Sequence, residues 1–189
     1  MEIIVKRIEK DREADIRLPN EPFSIYGRMI ARYDGENWSF DTVRLPQEQV
    51  HDMVFPDENY DYDAMAEDCI FMGAYEGEQC VGLAIYRHNW NKYLYLYDLK
   101  VNAACRGQRI GEKLIAAGRE LARENGYRGL YTIGQDNNLG ACSFYIRCGF
   151  EIGGLNTRVY QGTSQEGKSD ILFYLENDGS VSETGKDKS

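Results

Sequence analysis

The segment from Tyr93 to Ala122 constrains this chain more than any other. Tyr93-Leu94-Tyr95-Leu96-Tyr97-Asp98-Leu99-Lys100-Val101 is so dense in aromatic and aliphatic side chains that it reads as a central strand. It leads through Arg106-Gly107-Gln108-Arg109-Ile110-Gly111 into a helix. The apolar residues Ile110, Leu114, Ala117, Gly118, Leu121 and Ala122 fall at helical spacing, and Gly126 stands where the helix should end. The first backbone N–H groups of such a helix have no internal partner and sit at the positive end of its dipole. Arg106 and Arg109 add charge, and glycines at 107 and 111 allow close approach, so a pyrophosphate fits this loop. The loop lacks both the Gly-Lys-Ser/Thr of a Walker sequence and the dinucleotide-binding glycine fingerprint. Taken alone, it is equally compatible with an ordinary strand-to-helix turn.

Around this segment the pattern is regular. Residues 69–76 and 79–87 are apolar runs around Glu76-Gly77-Glu78, which predicts a hairpin, and 88–92 is a second turn. Leu130 to Ile133 reads as a short strand. Asn138 to Cys148 reads as a second helix with Ala141, Phe144, Tyr145 and Cys148 on one face and Gly149 closing it. Strands near 150–160 and 170–176 complete a mixed α/β fold. Residues 1–50 show no strong period, and 177–189 lack aromatic side chains and read as a disordered tail. At 189 residues the chain suits one domain, placed at 1–176.

Charge and cysteine usage narrow the chemistry. With 22 basic and 31 acidic residues the net charge is −9, which argues against a nucleic-acid backbone and for a cationic partner. Residues 55–68 alone hold six carboxylates and no basic residue. No apolar run approaches the roughly 20 residues of a membrane span, and the N-terminus turns charged too soon for a secretory signal. Five cysteines without a Cys-x-x-Cys pair, and two separated histidines, His51 and His88, predict reduced thiols, a cytoplasmic protein and no metal site.

The two glycine-bearing segments together resemble the GNAT superfamily of acetyl-CoA-dependent N-acetyltransferases. Its Arg-x-x-Gly-x-Gly element matches at Arg106, Gly107 and Gly111, with Arg109 at the usual middle glycine, and its Asn…Phe-Tyr…Gly-Phe element matches at Asn138, Phe144, Tyr145, Gly149 and Phe150. Arginine at 109 is expected to start the helix without unusual dihedrals. Further stretches, Asn20-Glu21-Pro22-Phe23, Arg32-Tyr33 with Glu36-Asn37-Trp38, Asn89-Trp90-Asn91-Lys92-Tyr93 and Gln135-Asp136-Asn137-Asn138-Leu139, are similar to those of streptothricin acetyltransferases, which modify the β-lysine amine of that antibiotic. This likeness runs from about residue 19 to 176. It implies a GNAT fold, a mixed and mostly antiparallel central sheet flanked by helices.

The resemblance also implies roles. Acetyl-CoA would lie along the backbone of Leu99, Lys100 and Val101, with its pyrophosphate on the loop formed by Arg106, Gly107, Gln108, Arg109, Ile110 and Gly111, and Asn138 would bond its pantetheine arm or nearby backbone. Tyr145 would protonate the departing thiolate, although it also fits a core aromatic. An alkyl ammonium has a pKa near 10.4 and must lose a proton before it attacks a thioester. Asp98, the only carboxylate in its run, could accept that proton through water or anchor the ammonium, or face solvent. Alternation places Tyr93, Tyr95 and Tyr97 on the face opposite Asp98, where Tyr95 and Tyr97 could hold a cation. Glu21, Glu36 and Trp38 are acceptor candidates by resemblance alone. Cys105 and Cys148 lie near the cofactor motifs without any sign of an activated thiolate, and neither histidine stands in a catalytic setting. The acceptor expected is a cationic small-molecule amine, with a different polyamine, a protein lysine or a non-catalytic acyl-CoA-binding module as rivals. A homodimer is left open.

Overall fold

The computed structural model describes residues 2–177. Its centre is a seven-stranded sheet built on the aromatic run, β8 (Tyr93–Val101). On one side of β8 lie β7 (Gln79–Arg87), β6 (Cys69–Glu76) and β1 (Ile3–Arg7). On the other lie β9 (Gly129–Gln135), β11 (Asp170–Glu176) and β10 (Glu151–Asn156). Every pairing is antiparallel except β8 with β9. The chain crosses between those two parallel strands through α2 (Ile110–Glu124), as a parallel pair requires.

The helix forms where its apolar spacing says it should. Ile110, Leu114, Ile115, Gly118 and Ala122 are buried against the sheet. The buried Tyr86 hydroxyl donates to the Leu114 carbonyl at 2.8 Å. A shorter helix, α3 (Leu139–Arg147), packs on the same face. The opposite face of β6 and β7 carries a smaller core of Ile8, Ile16, Tyr60, Phe71, Leu83 and Ile85, covered by the short turns of 10–17 and by α1 (Tyr62–Met65).

The stretch without a period also folds. Residues 23–53 form β2 (Phe23–Ile25) paired with β5 (His51–Met53), and a hairpin of β3 (Gly27–Tyr33) with β4 (Trp38–Arg44). From Ser39 to Arg44 every side chain is exposed, so no alternation marked the strand. Of the tail expected at 177–189, all but Asn177 lies outside the described residues, and Asn177 is buried with its N–H bonded to Arg128.

Strand β8 departs from simple alternation. Ile85 pairs with Asp98 while Tyr86 pairs with Leu96, so Tyr97 is an extra residue bulged out of the ladder. Leu94 and Leu96 face the helical side before the bulge, and Leu99 and Val101 face it afterwards. Tyr95, Asp98 and Lys100 therefore share the opposite face. The expectation that Asp98 stands across the sheet from Tyr95 is corrected by this one-residue slip.

Candidate active site

Strands β8 and β9 pair only from Tyr93 with Gly129 to Tyr95 with Tyr131. Beyond that point they part, and a cavity of about 900 Å³ opens between Leu96–Val101 on one side and Thr132–Gln135 on the other. Thr132, whose hydroxyl donates to the Leu96 carbonyl at 3.0 Å, pins the last point of contact. The β9-facing edge of Tyr97 to Val101 is left without a strand partner, so an amide-bearing chain can pair there as an added strand would. Leu99, Lys100 and Val101 all line this opening.

The loop after β8 continues the same wall. Gly107 and Arg109 both adopt left-handed backbone, with φ of +78° and +61°, before the helix starts at Ile110. The expectation for Arg109 is corrected here, because the position does demand the dihedrals that glycine adopts freely. The resulting curl lies along the cavity wall, in the kind of turn where successive N–H groups can converge on an anion. Arg106, Gly107, Arg109, Ile110 and Gly111 line it and Gln108 does not. Arg106 is committed to holding the loop. Its guanidinium donates to the carbonyls of Val101 at 3.1 Å and Pro22 at 2.8 Å and sits 3.7 Å from Glu21. Gly111 has a packing role as well, since a Cβ there would lie 2.9 Å from the Phe144 ring.

Helix α3 carries the second element to the same cavity. The Asn138 side chain caps it by accepting from the Ala141 N–H at 3.1 Å. Tyr145 is half-buried, with its ring against Phe150 and Phe173 at 5.5 and 5.4 Å between centroids. Burial pushes its phenol well above the ordinary range, with the neighbouring Thr132 hydroxyl pulling the other way. Tyr145 thus keeps its proton at neutral pH and lines the cavity as a donor.

Across from it, Asp98 sits in a charged network. Lys100 Nζ lies 3.3 Å from Asp98 and 2.5 Å from Glu58, donates to the Leu18 carbonyl at 3.4 Å, and stands 5.3 Å above the Tyr60 ring. The Tyr60 hydroxyl donates to Asp98 at 3.1 Å. Burial raises the Asp98 carboxyl above the usual carboxylate range, Lys100 opposes that shift, and Glu58 adds to it. A basic carboxylate beside the site of chemistry is suited to taking a proton from an ammonium. Tyr95 and Tyr97 belong to a run of ring contacts from Tyr60 through Tyr97, Tyr95 and Tyr131 to Tyr174, with centroids 5.0–6.2 Å apart. Burial lifts Tyr95 to about 12, so Tyr95 stays neutral and presents its ring face.

Not every candidate joins this assembly. Glu21 reaches the cavity on the loop side, accepting from the Ala103 N–H and facing Arg106. Glu36 and Trp38 lie in the β3–β4 hairpin outside the cavity lining, with Trp38 packed on Tyr33 at 5.0 Å. His51 and His88 are exposed, and His88 stacks on Tyr127. All five cysteines are free. Burial lifts Cys148 to about 11 and Cys142 to about 12, so neither is a thiolate at neutral pH. Among the described residues no three His, Cys, Asp or Glu side chains are grouped to hold a metal ion, and no helix is long and apolar enough to cross a membrane. Sequence reasoning missed Glu58, Tyr60 and Thr132. Of the acidic stretch only Glu58 brings a carboxylate to the cavity, while Asp61 caps α1 and Asp63 pairs with Lys10.

A sequence model of the acetyltransferase (GNAT) family matches residues 30–150. Streptothricin acetyltransferase A of Bacillus subtilis (strain 168) is 30% identical over 160 residues, covering 85% of this chain and 92% of that protein. Streptothricin acetyltransferase of Streptomyces lavendulae is 32% identical over 113 residues, 60% of this chain and 59% of that one. A Bacillus anthracis protein assigned as a streptothricin acetyltransferase, crystallised with acetyl coenzyme A, superposes with a TM-score of 0.82 at 26% identity, over 94% of this chain and 100% of that one.

Proposed function

The chain belongs to the acetyltransferase (GNAT) family, and we propose that it transfers acetyl from acetyl-CoA to a primary amine of streptothricin, in its β-lysine moiety, so conferring resistance to that antibiotic. It is an acetyl-CoA-dependent N-acetyltransferase, with a mixed, mostly antiparallel sheet of the GNAT kind. The reading rests above all on one cavity in which the open edge of β8, the Tyr145 phenol and the Asp98–Lys100–Glu58 network meet.

The residues present fit acetyl-CoA. The unpaired β8 edge at Leu99–Val101 would hold its amide-bearing arm, Asn138 stands at the start of the facing helix, and the curled loop of Gly107 to Gly111 would take its pyrophosphate. When bound, acetyl-CoA supplies an acetyl group activated as a thioester. The protein's own groups manage protons around it. Asp98 accepts a proton from the incoming ammonium, directly or through water, and Tyr145 gives one to the leaving thiolate. Transfer is direct within a ternary complex. Burial holds the Cys142 and Cys148 thiols protonated, so neither is a prepared nucleophile for a covalent intermediate. The acceptor is a cationic small molecule, drawn by the negative charge of the chain and of Asp98 and Glu58 and seated on Tyr95 and Tyr97. Five free cysteines agree with a cytoplasmic setting.

The test is thiol release from acetyl-CoA with streptothricin, spermidine and a lysine-rich peptide as separate acceptors. Rapid release with streptothricin alone is expected. Release only with spermidine or the peptide would overturn the antibiotic assignment, and coenzyme A binding without release to any acceptor would overturn the catalytic one.

A further inference from the structure

The cavity has a second polar wall, opposite Asp98, that the reaction itself does not use. Gln135 of β9 and Asp170 of β11 are register partners on the tyrosine face of the sheet, and both line the cavity with Tyr160. The Tyr160 hydroxyl donates to Asp170 Oδ1 at 2.8 Å. Gln135 Nε2 donates to the Tyr160 oxygen at 2.7 Å and to Gln165 Oε1 at 3.0 Å. The Tyr160 hydroxyl, its own proton given to Asp170, takes its donor from Gln135, which sets the orientation of the Gln135 amide. The chain of donations ends on acceptors. Gln135 Oε1 is buried without a partner, and such an orphan is costly unless something donates to it.

The charge around this wall is also unbalanced. Asp136, 7% exposed, lies behind it with Arg28 3.5 Å from one carboxylate oxygen and nothing bonded to the other. The Lys168 ammonium is spent on Gln165 at 3.0 Å. Burial and the Asp136 charge both hold the Asp170 carboxyl above its usual range. The floor beside Asp170 is aromatic, with Tyr131 and Tyr95 in contact at 5.0 Å and leading from β11 back to Asp98. A nitrogen cation over the ring faces, with one N–H for the Asp170 carboxylate and, once the wall parts, another for the buried Gln135 oxygen, answers the demands of those two residues.

We propose that Gln135, Tyr160 and Asp170 form a second acceptor subsite, which takes a nitrogen cation carrying at least two N–H donors, separate from the amine that is acetylated. The subsite rests on the amine-acetyltransferase reading and adds a specificity to it. Asp98 on β8 and Asp170 on β11 are separated by β9, so their backbones stand about 10 Å apart, two strand spacings, and further where β8 and β9 part. A small monoamine cannot reach both. An acceptor with two cationic groups that far apart can, and the acidic ends of the cavity then select for it over shorter amines.

The experiment is steady-state kinetics of Asp170→Asn with streptothricin as acceptor, beside acetyl-CoA binding by calorimetry. The KM for streptothricin should rise roughly tenfold or more, as for loss of a charge-assisted hydrogen bond, with kcat within about twofold and the acetyl-CoA Kd unchanged. A KM that stays within twofold overturns the subsite, and so does a matching loss of acetyl-CoA affinity. Tyr160→Phe is the second variant. It releases Asp170 Oδ1 for the ligand, so KM should hold or fall, and a rise equal to that of Asp170→Asn would mean the wall acts only as scaffold and would overturn the proposal. If the wild-type enzyme acetylates spermidine and not streptothricin, the antibiotic reading fails, and the same comparison with spermidine decides the subsite by the same criteria. Acetylation of neither polyamine overturns both.

Discussion

Gly111 and Phe144 are pressed together so closely that a single added methyl on Gly111 would fall 2.9 Å from the Phe144 ring. The glycine that closes the loop after β8 is thereby tied to the helix that carries Tyr145. Gly111→Ala gains intrinsic helix propensity worth about 1 kcal/mol, but the overpacking costs about 1–3 kcal/mol. Net destabilisation of about 1 kcal/mol is expected in chemical denaturation, with a weaker Kd for acetyl-CoA because the ring also lines the cavity. Adding Phe144→Leu should relieve the clash, so the double variant is more stable than the sum of the two singles. Strict additivity would show that the contact is not under compression.

Tyr95 and Asp98 share a face only because Tyr97 is bulged from β8. The bulge delivers the carboxylate to the cavity instead of to the packed core. Asp98→Asn keeps the shape and removes the proposed base, so kcat/KM for the amine should fall about 10²-fold or more. Acetyl-CoA binding should be unaffected. The burial-raised carboxyl also predicts that activity declines on acidification while the pH is still above the ordinary aspartate range. That acid limb should vanish from the residual activity of Asp98→Asn. A limb that survives belongs to another group.

Lys100 is the counter-cation of this pair, with its side chain 8% exposed. Lys100→Met leaves Asp98 and Glu58 facing each other, and the loss should be about 1–3 kcal/mol, reduced because Glu58 is partly solvated. The sign of the pH effect is fixed by linkage. A carboxyl raised in the folded state binds its proton more tightly there than in the unfolded chain, so stability falls as pH rises from the unfolded value through the folded one. Without Lys100 that folded value climbs further. The acid limb of activity should therefore move to higher pH in Lys100→Met and stay near its original position in Lys100→Arg. Equal profiles for all three proteins would detach Lys100 from Asp98.

Tyr145 combines a packed ring with a hydroxyl held in its protonated form. Tyr145→Phe removes the donor and keeps the ring. The expected result is a kcat lower by about 10²-fold, with Tm and the acetyl-CoA Kd little changed. Full turnover would reduce Tyr145 to a packing residue.

The parts of this molecule that were legible in its sequence are those where burial imposes a period. Strand β8, helix α2 and the hairpin of β6 and β7 each bury a continuous apolar face, and their residue patterns state it. Strand β4 buries almost nothing, so its residues carried no such mark. The bulge at Tyr97 was invisible for a different reason. Tyrosines tolerate either face of a half-buried strand, so the change of phase from Leu94 and Leu96 to Leu99 and Val101 does not by itself say which residue is the extra one. Glu58 could not be picked from six neighbouring carboxylates, because only the tertiary position of Lys100, far along the chain, selects it. The motif residues Arg106, Gly111 and Asn138 each serve the scaffold: a clamp on Val101 and Pro22, a seat for Phe144, a cap on α3.

Arg109 stands where the family's pattern has glycine, and it adopts φ of +61°. Left-handed backbone costs a residue with a Cβ about 1–2 kcal/mol, whereas glycine pays about 0.5–1 kcal/mol through the freedom of its unfolded state. Arg109→Gly should therefore leave stability unchanged or raise it by up to about 1 kcal/mol. Arg109→Val, β-branched and poorly suited to the left-handed region, should lower it by more than 1 kcal/mol on the same scale. Both variants lose the guanidinium that pairs with Glu112 at 2.6 Å, an exposed contact of little energetic weight, so the contrast isolates the backbone. Acetyl-CoA binding separates the second role of the position. If the curl of N–H groups does the holding, Arg109→Gly keeps its Kd within a fewfold of wild type and Arg109→Val does not. If the Arg109 charge does it, both variants bind weakly, and raising the salt concentration weakens the wild type toward them.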